Sequence, residues 1–280
     1  SKFFWKYRRG LPCQPAGMKE RTRPMITANF HTHTPRCHHA KGSEREYIEQ
    51  AIANGFTTLG FSDHVPQPFK NGYVSTIRMT MEELDDYVGT LRALQKEYVD
   101  RIQILVGFEA EYYPDLFEEL LEQLRKRSID YLILGQHHAP EEPTGFYSGY
   151  PTEDEYRLET YVNQVIAGMQ TGVFSYLAHP DLLHYTGEDE IYRKHMQRLC
   201  TCAKELDIPL EINMLGLHSN RHYPCDKFFQ LAVEEGCRFI LGCDAHEPEA
   251  VRQPEDEPGM MEFLERNYIQ YSQNLEIRKL

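Results

Sequence analysis

Residues 26–64, ITANFHTHTPRCHHAKGSEREYIEQAIANGFTTLGFSDH, decide the fold: an apolar strand, an amphipathic helix and a second apolar strand, with polar clusters at both strand ends. The strand candidates are Ile26–His33 and Thr57–Ser62, and Glu44–Ala53 between them carries helical spacing. Ser43 with Glu46 matches a capping box, and Gly55 stops the helix. A strand, a crossover helix and a strand in that order pair in parallel. Alternate residues of a strand share a face, so His31 and His33 can aim at one ion.

The same rhythm continues to residue 243. Further strand candidates are Ile102–Phe108, Tyr131–Gly135, Val173–Ala178, Pro209–Asn213 and Arg238–Cys243. Helical patterns fall at Met81–Tyr98, Leu116–Lys126, Glu153–Gln170, Ile191–Leu206 and Asp226–Glu235, and Thr80 with Glu83 makes a second capping box. Seven strands alternating with six helices predict an α/β barrel, because closure leaves no strand edge unpaired. The loops Pro66–Thr80, Ala139–Thr152 and Leu215–Cys225 follow strands, where a parallel barrel carries its active face.

With 280 residues, 41% of them hydrophobic, the chain can bury such a core. Its apolar runs all fall short of the roughly 18 residues of a membrane span. Residues 1–24 hold seven cations against Glu20 alone, a charge of +6 that leaves about -19 on the remainder. An acidic body disfavours nucleic acid as a partner. Residues 1–24 lack both secondary-structure period and the apolar segment of a signal peptide, which predicts a flexible basic extension before a folded unit at 25–280. Seven scattered cysteines without a CxxC pair predict reduced thiols in a cytoplasmic protein, with Cys243 a small buried residue at a strand end. No residue pattern marks an oligomeric state.

Metal-ligand residue types stand at the C-terminal end of every strand candidate. They are His31 and His33, Asp63 and His64, Glu109 and Glu111, His137 and His138, His179 and Asp181, Glu211 and Asn213, and Asp244 and His246. Parallel strands bring these ends to one mouth, where such a set suits more than one metal ion. His38 and His39 compete for one place there, as do His137 and His138. His184, His195, His218 and His222 lie away from strand ends and read as ordinary surface or core residues.

In this order the motifs HTHT (31–34), FSDH (61–64), GFEAEY (107–112), LGQHH (134–138), LAHPD (177–181) and GCDAH (242–246) resemble the PHP superfamily of metal-dependent phosphoesterases. HTHTPRCHHA, GFSDHVP, IRMTMEEL (77–84) and the EIN…YP stretch (211–224) look most similar to its histidinol-phosphate phosphatase branch. The resemblance implies a distorted (β/α)7, TIM-like barrel holding three divalent ions, of Zn, Mn, Fe or Co. It places His31, His33, Glu109 and Asp244 on one ion, and Glu109, His137 and His179 on a second. His39, His64 and His246 would hold the third. His39 is favoured over His38 as the sixth residue after His33, and Glu109 over Glu111 by its Gly-x-Glu setting. Glu109, Asp244 and His246 count as catalytic as well as ligating.

The chemistry implied is attack of metal-bound hydroxide on a phosphomonoester, which needs no Ser or Cys nucleophile. The partners would be a small phosphorylated substrate, L-histidinol phosphate, and the products L-histidinol and inorganic phosphate, in histidine biosynthesis. Arg78, His218 and Arg221 are candidates for substrate binding. His218 stands where the branch has an arginine, and Arg221 is the nearby replacement. His218, His222 and Asp63 are candidate proton donors, while Asp63 and Asp181 are expected to orient ligand imidazoles. The rival readings are another small phosphoester, an exonuclease, which would need a basic groove, and a non-catalytic metal-binding module, which would show eroded ligands.

Overall fold

The apolar runs pair in parallel because the helix after each one carries the chain back to the other end of the sheet. The computed structural model describes residues 26–280, so the predicted extension at 1–24 lies outside the described residues. In chain order the first elements are β1 Ala28–Asn29, α1 Glu44–Ala53, β2 Thr58–His64, α2 Leu84–Glu97, β3 Gln103–Ala110, α3 Pro114–Lys126 and β4 Tyr131–Leu134. A ribbon of β5 His138–Ala139 and β6 Phe146–Tyr147 follows, then α4 Glu155–Gln170, β7 Phe174–Leu177 and α5 Asp189–Glu205. The chain continues through β8 Leu210–Asn213, α6 Met214–His218, α7 Asp226–Glu235, β9 Phe239–Gly242 and α8 Met260–Arg266.

The seven-stranded sheet runs β1-β2-β3-β4-β7-β8-β9, parallel throughout. Its two edges meet just beyond the strands, where the His33 amide donates to the Ala245 carbonyl at 2.9 Å and the Ala245 amide to that of His31 at 3.1 Å. The result is a nearly closed α/β barrel. Its distortion is local: the β4–β7 register shifts between Leu132 and Ile133, and β7 and β8 share the single pair Leu177–Leu210.

Strand β1 is shorter than the predicted Ile26–His33. After Asn29 a side chain replaces the ladder: Asn29 Nδ2 donates to Thr32 Oγ1 at 2.9 Å, and its Oδ1 accepts from the Cys243 amide at 2.9 Å. The predicted helix Met81–Tyr98 opens with a tight turn, Met81–Glu83, before α2. The ribbon, α6 and α8 were too short to show a period in the sequence.

Each longer helix buries one stripe. In α3 the stripe is Phe117, Leu120, Leu121 and Leu124, each contributing about 1.5–3 kcal/mol by burial. Inside the barrel Phe30, Tyr131, Ile133, Tyr176, Ala178 and Ile240 form a second, smaller core. The Tyr131 hydroxyl sits 2.7 Å from the Phe30 carbonyl and 3.1 Å from that of Phe61, its one hydrogen shared between them. Its ring fits because position 107 is glycine; a Cβ there would stand 2.4 Å from Tyr131 Cε1. This plug floors the mouth where the strand ends converge. Among the described residues no helix is long and apolar enough to cross a membrane.

Candidate metal centre

Sheet register starts the site: His64 on β2 pairs with Glu109 on β3, and Glu109 becomes its centre. Glu109 Oε2 lies 2.9 Å from His179 Nε2 and 3.3 Å from His31 Nε2. Its Oε1 lies 3.4 Å from His64 Nδ1 and 3.6 Å from Nε2 of both His33 and His137. Asp244 Oδ1 faces His33 Nε2 at 3.0 Å and His31 Nε2 at 3.2 Å. His39 enters from the turn after β1 and groups with His64 and His246, their ligand atoms within 4.8 Å of one another. His31, His33 and Asp244 form a second such group, and His31, Glu109 and His179 a third. The nine residues singled out in the sequence therefore share one mouth. His38 and His39 are both exposed, but it is His39 that joins a group, and His138 belongs to the ribbon beside the mouth.

The chemistry of this set fits divalent cations. His31 Nε2, His33 Nε2, His64 Nδ1, both Glu109 oxygens and Asp244 Oδ1 are buried without a hydrogen-bond partner, whereas buried polar atoms are ordinarily paired. The opposite ring nitrogens of five of the imidazoles are tied down. His31 Nδ1 meets Glu211 Oε2 at 2.7 Å, His33 Nδ1 meets Asp63 Oδ1 at 3.1 Å, and His137 Nδ1 meets Glu111 Oε1 at 2.9 Å. His39 Nδ1 and His246 Nδ1 lie against the carbonyls of Cys37 and Asp244. Such partners fix the outer N–H and turn the inner lone pair toward a metal.

The electrostatics agree. Burial opposes ionisation of Glu109, but the imidazoles of His137, His31 and His179 hold it well below the usual carboxylate range. Burial also opposes charge on His31, yet Asp244, Glu211 and Glu109 raise it, so this point favours a cation. Burial, then His33, pushes His246 down to about 3, leaving it neutral and able to ligate.

The outer carboxylates differ in part from the expectation. Asp63 does meet an imidazole, and it also accepts from Thr34 Oγ1 and from the His64 amide at 2.9 Å. Asp181 instead accepts from the Cys225 amide at 2.7 Å, tying down the start of α7; burial raises its carboxyl to about 6. Glu211 and Glu111 hold His31 and His137. Glu211 further accepts from Tyr176 Oη, Asn213 Nδ2 and the His179 amide at 2.7–3.1 Å. Neither was foreseen as an orienting group, although both are strand-end carboxylates.

Above the cluster opens a cavity of about 780 Å³, with Tyr147, Tyr150, His138, Leu182, Arg221 and Tyr223 among its walls. Arg221 stands at this wall and donates to Tyr223 Oη at 2.7 Å. His218 does not line this cavity. It closes α6, meets Glu257 Oε1 at 3.0 Å, and borders a smaller pocket behind His39 and His246. Arg78 also departs from its expected place as a loop cation: it is 2% exposed, its guanidinium held among buried carboxylates. Its Nη1 and Nη2 clasp Glu111 at 2.9 and 2.8 Å, and Nε meets Glu142 at 3.2 Å. His222 lies against the Leu182 carbonyl at 2.6 Å and stacks on His184, and neither it nor Asp63 lines the cavity.

A parallel barrel with His, Glu and Asp converging at its strand ends defines a metal-hydrolase type of centre. The model of the PHP domain family matches residues 29–215, and the chain belongs to that family. A Deinococcus radiodurans relative named "probable histidinol-phosphatase" is 31% identical over 231 residues, covering 78% of this chain and 85% of the relative. A Schizosaccharomyces pombe relative of the same name is 28% identical over 265 residues, 85% of this chain and 84% of the relative. Among solved structures, the histidinol phosphate phosphatase of Lactococcus lactis, complexed with zinc, L-histidinol and phosphate, shares the fold. Its TM-score is 0.68 at 16% identity, over 90% of this chain and 99% of that one.

Proposed function

We propose that this protein is a metal-dependent phosphomonoesterase that hydrolyses L-histidinol phosphate to L-histidinol and phosphate. The observation that carries the reading is the convergence of nine candidate ligand residues, five of them with buried inner atoms unpaired, beneath one open cavity. The names of the two curated relatives and of the Lactococcus lactis structure supply the substrate class. His31, His33, Glu109 and Asp244 would hold one ion, Glu109 with His137 and His179 a second, and His39, His64 and His246 a third. Bound there, divalent ions supply positive charge for the phosphoryl oxygens and a nucleophile at neutral pH.

The chain's own contribution is orientation and binding. Asp63, Glu111 and Glu211 fix the rings of His33, His137 and His31 before substrate arrives. Arg221 is the cavity-wall cation suited to a phosphate oxygen. The tyrosines Tyr147, Tyr150 and Tyr223 offer flat walls for an imidazole. A cytoplasmic setting fits the six described cysteines, all free thiols.

Two measurements test the assignment. Protein reconstituted with Zn or Mn should show a kcat/KM for histidinol phosphate at least about tenfold above that for unrelated monoesters, a margin of roughly 1.4 kcal/mol. Equal rates across the panel would replace histidinol phosphate with a broader class of small phosphoester, a reading the displacement of His218 from the cavity favours. Arg221→Ala should raise KM about ten- to a hundredfold with a smaller change in kcat, the effect of losing a charge-assisted hydrogen bond of about 1.5–3 kcal/mol. An unchanged KM would remove Arg221 from the binding site.

A further inference from the structure

We propose that Cys37 is a sulfur ligand of this centre, binding as thiolate the ion held by His246. The inference rests on the reading of the cluster as a metal site and adds a donor of a different chemical kind. Sγ of Cys37, a ring nitrogen of His33 and a ring nitrogen of His246 lie within 4.8 Å of one another, so the sulfur is near enough to join the ion held by His246 while His33 serves the neighbouring one. His33 is fully buried, and its Nε2 has no hydrogen-bond partner. The His33 and His246 rings stack with centroids 4.0 Å apart, which keeps their edges together beside the thiol.

The local backbone sets the sulfur there. Pro35–Cys37 forms one tight turn capped by Thr34, with the Cys37 amide donating to the Thr34 carbonyl at 3.2 Å. The Cys37 carbonyl meets His39 Nδ1 at 2.8 Å, so the turn that buries the thiol also orients the neighbouring imidazole. The surroundings are not those of a filler residue. Cys200, Cys237 and Cys243 belong to the main hydrophobic core, and Cys202 and Cys225 pack against it. Cys37 belongs to neither apolar cluster, although it is fully buried; its thiol lies beside the ring nitrogens of His33 and His246.

On ligation the thiol gives up its proton to solvent, and the metal–sulfur bond takes its place. A thiolate among imidazoles favours thiophilic ions such as Zn, Co or Fe over Mn or Mg. The position nearest His246 would then differ in metal preference from the positions around Glu109, which offer only nitrogen and oxygen.

X-ray absorption at the zinc edge tests this on the full chain stripped and reloaded with zinc. The expected spectrum contains a sulfur scatterer at about 2.3 Å, separate from the nitrogen and oxygen shell at about 2.0–2.2 Å. Reloading with Co(II) should give a sulfur-to-cobalt charge-transfer band in the near ultraviolet. Both signals should disappear in Cys37→Ser and in Cys37→Ala, and persist in Cys243→Ser. A wild-type spectrum with nitrogen and oxygen neighbours alone overturns the proposal, as does a sulfur signal surviving in either Cys37 variant. Zinc bound with full phosphate release but no sulfur overturns this inference alone. Failure to bind zinc at all overturns the metal-centre reading with it.

Discussion

Glu109→Gln is expected to abolish phosphatase activity, by at least about a thousandfold or roughly 4 kcal/mol of transition-state stabilisation, and to strip or disorder two bound ions together. Five imidazole nitrogens lie within 3.6 Å of the two Glu109 oxygens. The amide keeps the size of the carboxylate but removes its charge and turns one acceptor into a donor facing lone pairs. The backbone leaves no room for relief, since a Cβ at Gly135 would stand only 2.3 Å from Glu109 Oε2. Glutamine is nearly isosteric, so circular dichroism should match the wild type while metal content per chain falls. Retention of both metal and activity would refute a bridging role for Glu109.

The centre was legible in the sequence where chemistry follows from spacing along one strand. Residues two apart share a face, so HTH at 31–33 and DAH at 244–246 announce paired candidate ligands before any fold is known. The alternation of strands and helices then places every such pair at one end of the barrel. What spacing does not carry is the partner behind each ligand. His31 and Glu211 are 180 positions apart and meet only because β8 lies beside the mouth that β1 and β9 close. The ribbon escaped for a related reason: strands of two residues show no period, yet β6 places Tyr147 in the cavity wall. His218 and Arg221 looked equivalent as loop residues. The five-residue helix α6, capped by Asn213 Oδ1 on the Gly216 amide at 2.9 Å, separates them by sending His218 toward Glu257.

Arg78 carries the other large prediction, because the structure gives it a role opposite to that of an exposed phosphate-binding cation. Arg78→Met should destabilise the fold by about 3–5 kcal/mol, the cost of breaking a buried pair and leaving its carboxylate uncompensated. At roughly 2–4 °C per kcal/mol for a chain of this size, Tm should fall by about 10 °C. Burial opposes the charge on Glu111, and it is first Arg78, then His137, that holds this carboxylate well below its ordinary range. Without the guanidinium, Glu111 is free to turn or take up a proton, and the His137 ring loses its fixed orientation. Metal content should therefore fall although Arg78 touches none of the inner ligand atoms. The double variant Arg78→Met with Glu111→Gln should recover part of the lost Tm, since of the two carboxylates that Arg78 meets only Glu142 then stays charged, while the glutamine carbonyl can still accept from His137 Nδ1. Thermal melts and metal analysis of the two variants decide the matter. An Arg78→Met protein with unchanged Tm and a raised KM for histidinol phosphate would mean that the guanidinium leaves its carboxylates to meet substrate, and the buried clamp would be discarded.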